Sequence, residues 1–147
     1  MTRSHPAIAA LGIFALSPLS AQPPGPGPAC NEDDGYVCGV SAPEDLVRMG
    51  TDWAVASAYA SPGGVTLIRL DDRRIVNAYP SATAREALDA DAYPDCPGPP
   101  AADAFTTHGV YVAPGNGPLH KLFVVGHGAR ESIEVFDVDT SGTMPAV

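Results

Sequence analysis

The stretches W-A-V-A-S-A (53–58) and V-T-L-I-R-L-D (65–71) lie over K-L-F-V-V-G (121–126) and I-E-V-F-D-V-D (133–139), both at an offset of 68 residues with no gap between them. The preceding segment P-E-D-L-V (43–47) lies over T-H-G-V-Y (107–111) at an offset of 64. These runs are rich in β-branched and aromatic residues and are bounded by Gly and Pro turns. Asp45–Met49, Trp53–Ala58, Val65–Leu70 and Arg74–Tyr79 therefore read as four consecutive strands. After an irregular stretch at 81–107, Gly109–Ala113, Lys121–Gly126 and Ile133–Val138 read as three more. Two copies of one meander mean a repeat, and four strands per unit point to propeller blades.

The expected fold is all-β: the first one to two blades of a β-propeller, incomplete in this chain. Blade 1 falls at about 43–80 and a partial blade 2 at about 105–147, within a domain at 38–147. A closed propeller needs at least about four blades of roughly 40–50 residues each. The chain is therefore expected to be the N-terminal part of a longer protein or a truncated product. Chance likeness of two meanders, and a partial propeller that closes by oligomerising, are the alternatives.

Composition agrees with a turn-rich β chain. Of 147 residues, 15 are Gly and 16 Pro, and the 45% hydrophobic content excludes a disordered chain on composition. The 8 Lys and Arg against 17 Asp and Glu give a net charge of −9, which argues against nucleic acid or an anionic membrane surface and leaves room for a cation. Residues 1–21 carry Arg3, an apolar run Ala7–Ala15 and small residues up to Ala21, the pattern of a secretory signal peptide. That run is too short to span a bilayer, so no transmembrane segment is expected. Residues 22–37 read as a Pro/Gly-rich linker, stiff and extended over Q-P-P-G-P-G-P-A (22–29). Export to a periplasmic or extracellular, oxidising compartment permits a disulfide. Of Cys30, Cys38 and Cys96, the expected pair is Cys38–Cys96, because both flank the folded part.

The repeat also selects candidate site residues. The first strand of each blade lines a propeller's channel, and the alignment places Glu44 and His108 at the same blade position. A hairpin around P-G-N-G-P (114–118) that is centred between Gly117 and Pro118 would oppose Val112 to Phe123, Val110 to Val125 and His108 to His127. A close His pair can orient one ring's tautomer as a general base requires. A one-residue slip would put the rings on opposite faces, leaving two surface histidines near a turn. Glu44 and Asp45 offer hard oxygen ligands of the kind calcium takes, or else form a solvated acidic turn; two carboxylates alone do not make a calcium site. The acids at 71–72 and 89–95 lack EF-hand spacing, the cysteines lack zinc spacing, and Ser57 and Ser132 lack a G-x-S-x-G elbow.

A-P-E-D-L-V (42–47), F-T-T-H-G-V (105–110) and L-F-V-V-G-H-G-A-R-E-S-I-E-V-F (122–136) resemble the paraoxonase/arylesterase branch of six-bladed, calcium-dependent β-propellers. That branch is related to the gluconolactonase and strictosidine-synthase-like propellers. The resemblance runs from about Cys38 to Asp139, with its motifs in the family's order. It implies hydrolysis of small ester or lactone substrates. Glu44 would be a ligand to a catalytic calcium, and Asp45 with the backbone carbonyl of Val110 would hold a structural one. His108 would activate water, with His127 as its supporting partner. The resemblance also implies that Cys30 or Cys38 pairs with a cysteine near the family's C-terminus. Two departures stand out: Gly126 occupies the place of the family's asparagine, and the calcium ligands of later blades are absent here. The chain alone is accordingly expected to have little or no activity. A non-enzymatic propeller module that binds a ligand or protein, and a gluconolactonase-type sugar-lactone hydrolase, are the alternative functions.

Overall fold

The structure, a computed structural model, describes residues 29–147. The signal peptide expected at 1–21 and residues 22–28 of the linker lie outside the described residues. Seven strands form two antiparallel meanders. The first contains β1 (Pro43–Met49), β2 (Trp53–Ala58), β3 (Gly64–Arg69) and β4 (Ile75–Tyr79), hydrogen-bonded in that order. The second contains β5 (Phe105–Val112), β6 (Leu119–Gly128) and β7 (Ser132–Asp139). All seven strands expected from the sequence are present, and the protein is all-β with neither sheet closed on itself. Among the described residues no helix is long and apolar enough to cross a membrane.

The repeat extends to the backbone pairing. The pairs Ala54–Ile68 and Val55–Leu67 of β2–β3 recur, shifted by 68 residues, as Leu122–Phe136 and Phe123–Val135 of β6–β7. The pairs Leu46–Ala56 and Val47–Val55 of β1–β2 recur as Val110–Val124 and Tyr111–Phe123 of β5–β6. Each first strand carries a bulge at the equivalent place, between Pro43 and Leu46 and between Thr107 and Val110. There, three steps along the first strand match two along the second. The extra residue exchanges the strand's inward and outward faces. This is why β5 keeps pairing back to Phe105, four residues before its expected start: Phe105 and Thr107 are buried before the bulge, and Val110 and Val112 turn inward after it.

The two sheets pack face to face around one core. Val55, Val65 and Leu67 of the first sheet meet Phe105, Leu122, Val124 and Val138 of the second, with Met49 and Trp53 in the same cluster. Branched side chains on alternate positions fill such a layer closely. Every residue of β2 is buried, because its other face is covered as well: Ala54, Ala56 and Ile68 pack under Val37 and Val40. Alanine at these two positions leaves room for the 37–40 segment to lie close to the sheet.

The disulfide differs from the expected one. Cys30 bonds Cys38, with Cα atoms 5.7 Å apart, and Cys96 is free. The physical reason is a local reversal: Asn31 caps a 3-10 turn at Glu32–Asp34, and Gly35 at φ +89° ends it in the left-handed region that glycine adopts readily. This returns the chain to Cys38 and seats Val37 and Val40 on the sheet. Cys96 instead sits in the irregular connection, with its thiol directed at the Gly98 carbonyl.

Hydrogen bonds join the sheets where β5 crosses the β2–β3 hairpin. The buried Thr107 hydroxyl accepts from the Ala58 amide at 2.7 Å and donates to the Gly64 carbonyl at 2.5 Å. The Thr106 hydroxyl donates to the Ala60 carbonyl at 2.9 Å, and the Gly63 amide donates to the Phe105 carbonyl at 2.9 Å. The 80–104 connection is held by Tyr79, whose hydroxyl donates to the Pro100 carbonyl and whose ring meets Phe105 edge-on at 5.6 Å. Burial, and then the Glu134 carboxylate, raise the Tyr79 phenol above its ordinary value.

Thr107→Val keeps the shape but leaves a buried amide and carbonyl without partners, at about 1–3 kcal/mol for each group. Urea unfolding should show a lower midpoint with an unchanged slope. The neutral Tyr79 phenol is favoured in the folded state, so its contribution is complete below its ordinary value of 10.0 and is lost as pH rises past the raised one. The fall in stability as pH rises from 10.0 towards the raised value should be shallower in Tyr79→Phe.

Candidate functional site

The bulged residues are Glu44–Asp45 in β1 and His108–Gly109 in β5, and they lie side by side. A bulge leaves ladder donors without their usual acceptors, and side chains fill that role here. The Asp45 amide donates to the Ser57 hydroxyl at 3.0 Å. Asp45 Oδ1 accepts from the Leu46 amide at 2.8 Å, and Oδ2 accepts from the Val110 amide at 2.9 Å. Leu46 and Val110 are equivalent positions of the repeat, so one carboxylate serves the corresponding donor of both bulges. The contact between Asp45 and Val110 is thus made through the Val110 amide.

Beside this tie the acidic and imidazole side chains form a row. Glu44 Oε1 lies 3.1 Å from His108 Nε2. The His108 and His127 rings meet edge to face, with centroids 5.6 Å apart. His127 Nδ1 lies 2.5 Å from Glu131 Oε2. The Tyr59 ring leans on His108 at 5.2 Å. Glu44, His108 and His127 side chains are each between one third and one half exposed, so water reaches the row freely. His127 also lines a cleft of about 360 Å³ with Pro97, Pro100, Phe105 and Arg130.

The structure brings Glu44, His108 and His127 together, but by a register other than the expected one. His127 pairs with Thr106, not His108, and Val110 pairs with Val124, not Val125. The hairpin is centred so that Val112 opposes Leu122, and the bulge then shifts the far end by one more residue. His108, inside the bulge, shares the face of Thr106 and His127 and meets the second ring diagonally. Glu131 was not anticipated. Its signal was the four-residue spacing from His127 across the β6–β7 turn, which returns the carboxylate to the imidazole. Tyr59, just past the end of β2, carried no such signal.

Calcium coordinates six to eight oxygens. The row supplies the Glu44 carboxylate, already beside an imidazole, and both Asp45 oxygens are engaged by backbone amides. Among the described residues no group of three or more His, Cys, Asp or Glu converges as a metal site would require. The side chains present do not make a complete calcium shell. Compared with known proteins, the chain matches no family model, no curated protein and no solved structure.

Asp45→Ala removes the acceptor of two backbone donors in different sheets and should cost about 1–3 kcal/mol. Native-state hydrogen exchange distinguishes this tie from an ordinary surface acid: the Leu46 and Val110 amides should lose protection together.

Proposed function

We propose that the two sheets are successive blades of a propeller, and that His108 and His127 are the general-base element of a site hydrolysing carboxylic esters or lactones. The observation that carries this reading is the row itself: two imidazoles in contact, each anchored at one nitrogen by its own carboxylate. An ionised carboxylate only accepts hydrogen bonds, so Glu44 fixes the proton on His108 Nε2 and leaves Nδ1 with its lone pair. Glu131 likewise fixes the proton on His127 Nδ1 and leaves Nε2 free. A free ring nitrogen takes a proton from water as that water attacks the carbonyl carbon, and the carboxylate behind it stabilises the imidazolium that forms. The cleft beside His127 has proline and phenylalanine walls suited to the apolar part of an aryl ester.

Ester hydrolysis also needs a group that stabilises the developing oxyanion. Calcium would supply this as a Lewis acid, but Glu44 is engaged with His108 and both Asp45 oxygens with backbone amides, which leaves the shell short. The chain by itself is therefore a weak catalyst at most. The same shortage favours a second reading, in which the row and cleft bind a ligand without chemistry.

Hydrolysis of phenyl acetate and of a simple lactone by the purified chain, with and without calcium chloride, separates these readings. The expected result is weak, calcium-insensitive turnover of phenyl acetate, within the about 10²–10⁴-fold that a positioned base contributes. It should fall to the buffer rate in His108→Gln with the circular dichroism unchanged. Equal rates in wild type and His108→Gln would remove the base role, and robust calcium-dependent turnover would show that a full metal site forms.

A further inference from the structure

The cleft beside His127 carries a donor that the histidine row does not use. It runs between the 97–104 connection and the β6–β7 turn, with walls from Pro97, Pro100, Ala104 and Phe105. Among the described residues its polar side chains are those of His127, Arg130 and Ser132. The Ser132 hydroxyl already donates to Glu134 Oε1 at 2.6 Å, and His127 Nδ1 is engaged by Glu131. Arg130 is fixed through two of its three nitrogens. Nε and Nη2 donate to Glu134 Oε1 at 3.0 and 2.7 Å, and Nη2 also donates to the Gly98 carbonyl at 2.8 Å. The guanidinium is planar, so these contacts fix where Nη1 lies. Among the described residues Nη1 has no hydrogen-bond partner, which leaves it the free donor of a side chain lining the cleft.

We infer that Arg130 is a further catalytic residue of this site: Nη1 binds the carbonyl oxygen of a neutral aryl ester whose ring lies in the cleft, and stabilises the oxyanion formed there. The inference rests on the ester-hydrolysis reading and supplies the electrophile that the incomplete calcium shell does not. Charge balance selects a neutral ligand. Glu134 offsets the Arg130 charge and the chain carries a net −9, so a free carboxylate gains little attraction here. A neutral carbonyl accepts the same hydrogen bond, and that bond strengthens as negative charge develops on the oxygen. Proline, alanine and phenylalanine walls suit an aromatic ring, and a cleft of about 360 Å³ is large enough for a small molecule. In the reaction, water adds to the carbonyl carbon as His127 Nε2 takes its proton, and the carbonyl π pair moves onto the oxygen facing Nη1. Collapse of this adduct breaks the bond to the aryl oxygen, which takes the proton from the imidazolium and leaves as a phenol.

The probe is benzyl methyl ketone, which has a methylene in place of the ester oxygen of phenyl acetate and is not hydrolysed. In a proton–nitrogen NMR titration of the purified, oxidised chain, saturable shifts should fall on the Arg130 Nε–H signal and on the amides of residues 101–105 and 129–132. Arg130→Lys keeps a cation beside Glu134 but removes the fixed donor. Arg130→Met combined with Glu134→Met removes the pair without leaving a buried charge. Each should weaken ketone binding by about tenfold or more, and should lower kcat/KM for phenyl acetate by a larger factor. Benzoate should bind the wild type more weakly than the ketone. The inference is overturned by a wild type without saturable shifts, by shifts elsewhere, by undiminished binding in a folded variant, or by a preference for benzoate. Because binding is read without turnover, the histidine base fails separately: ketone binding as expected, with equal ester hydrolysis in wild type and His108→Gln, would remove the base and leave the Arg130 contact standing.

Discussion

The arrangement depends on a matched pair of β-bulges and on the side chains that satisfy the backbone donors those bulges release. A bulge is a local defect in a ladder, and an unpaired buried amide costs about as much as a lost hydrogen bond. Here the cost is offset by Ser57 and Asp45. Because Asp45 takes the equivalent amide from both bulges, repairing the defect also joins the sheets. Thr107 does the same one turn of the pleat away, with one hydroxyl meeting an amide and a carbonyl of the neighbouring hairpin.

The same defect creates the candidate site. By exchanging the faces of β1 and β5, the bulges send Glu44 and His108 outward while the strands on either side of them still contribute to the core. Two first strands of one design then present unlike residues at one point, a carboxylate from one and an imidazole from the other. The β6–β7 turn brings a second imidazole and its own carboxylate to the same row. Position comes from backbone pairing, whereas the chemistry comes from which residue occupies each copy of the repeat.

Packing follows the repeat unevenly. The first sheet is covered on one side by the second sheet and on the other by a short segment that a disulfide closes into a loop. Among the described residues, the second sheet has only one of its faces covered. Each meander relies on a neighbouring element to bury the apolar face it presents.

Strand identity, strand order and the duplication were legible in the sequence, because alternation of apolar residues and Gly/Pro turns are local signals read over a few residues. The offset of 68 residues held down to individual hydrogen-bonded pairs. The approach of Glu44 to His108 was legible too, since equivalent positions in adjacent repeats end up side by side. Register was not. A bulge inserts one residue without a distinctive composition, and P-E-D-L and T-H-G-V do not announce where pairing slips. The disulfide partner and Glu131 were decided by turns that reverse the chain, at Glu32–Gly35 and at Gly128–Ser132. In both places the contact depends on how the backbone closes in space, and residue order constrains this only through the tertiary structure.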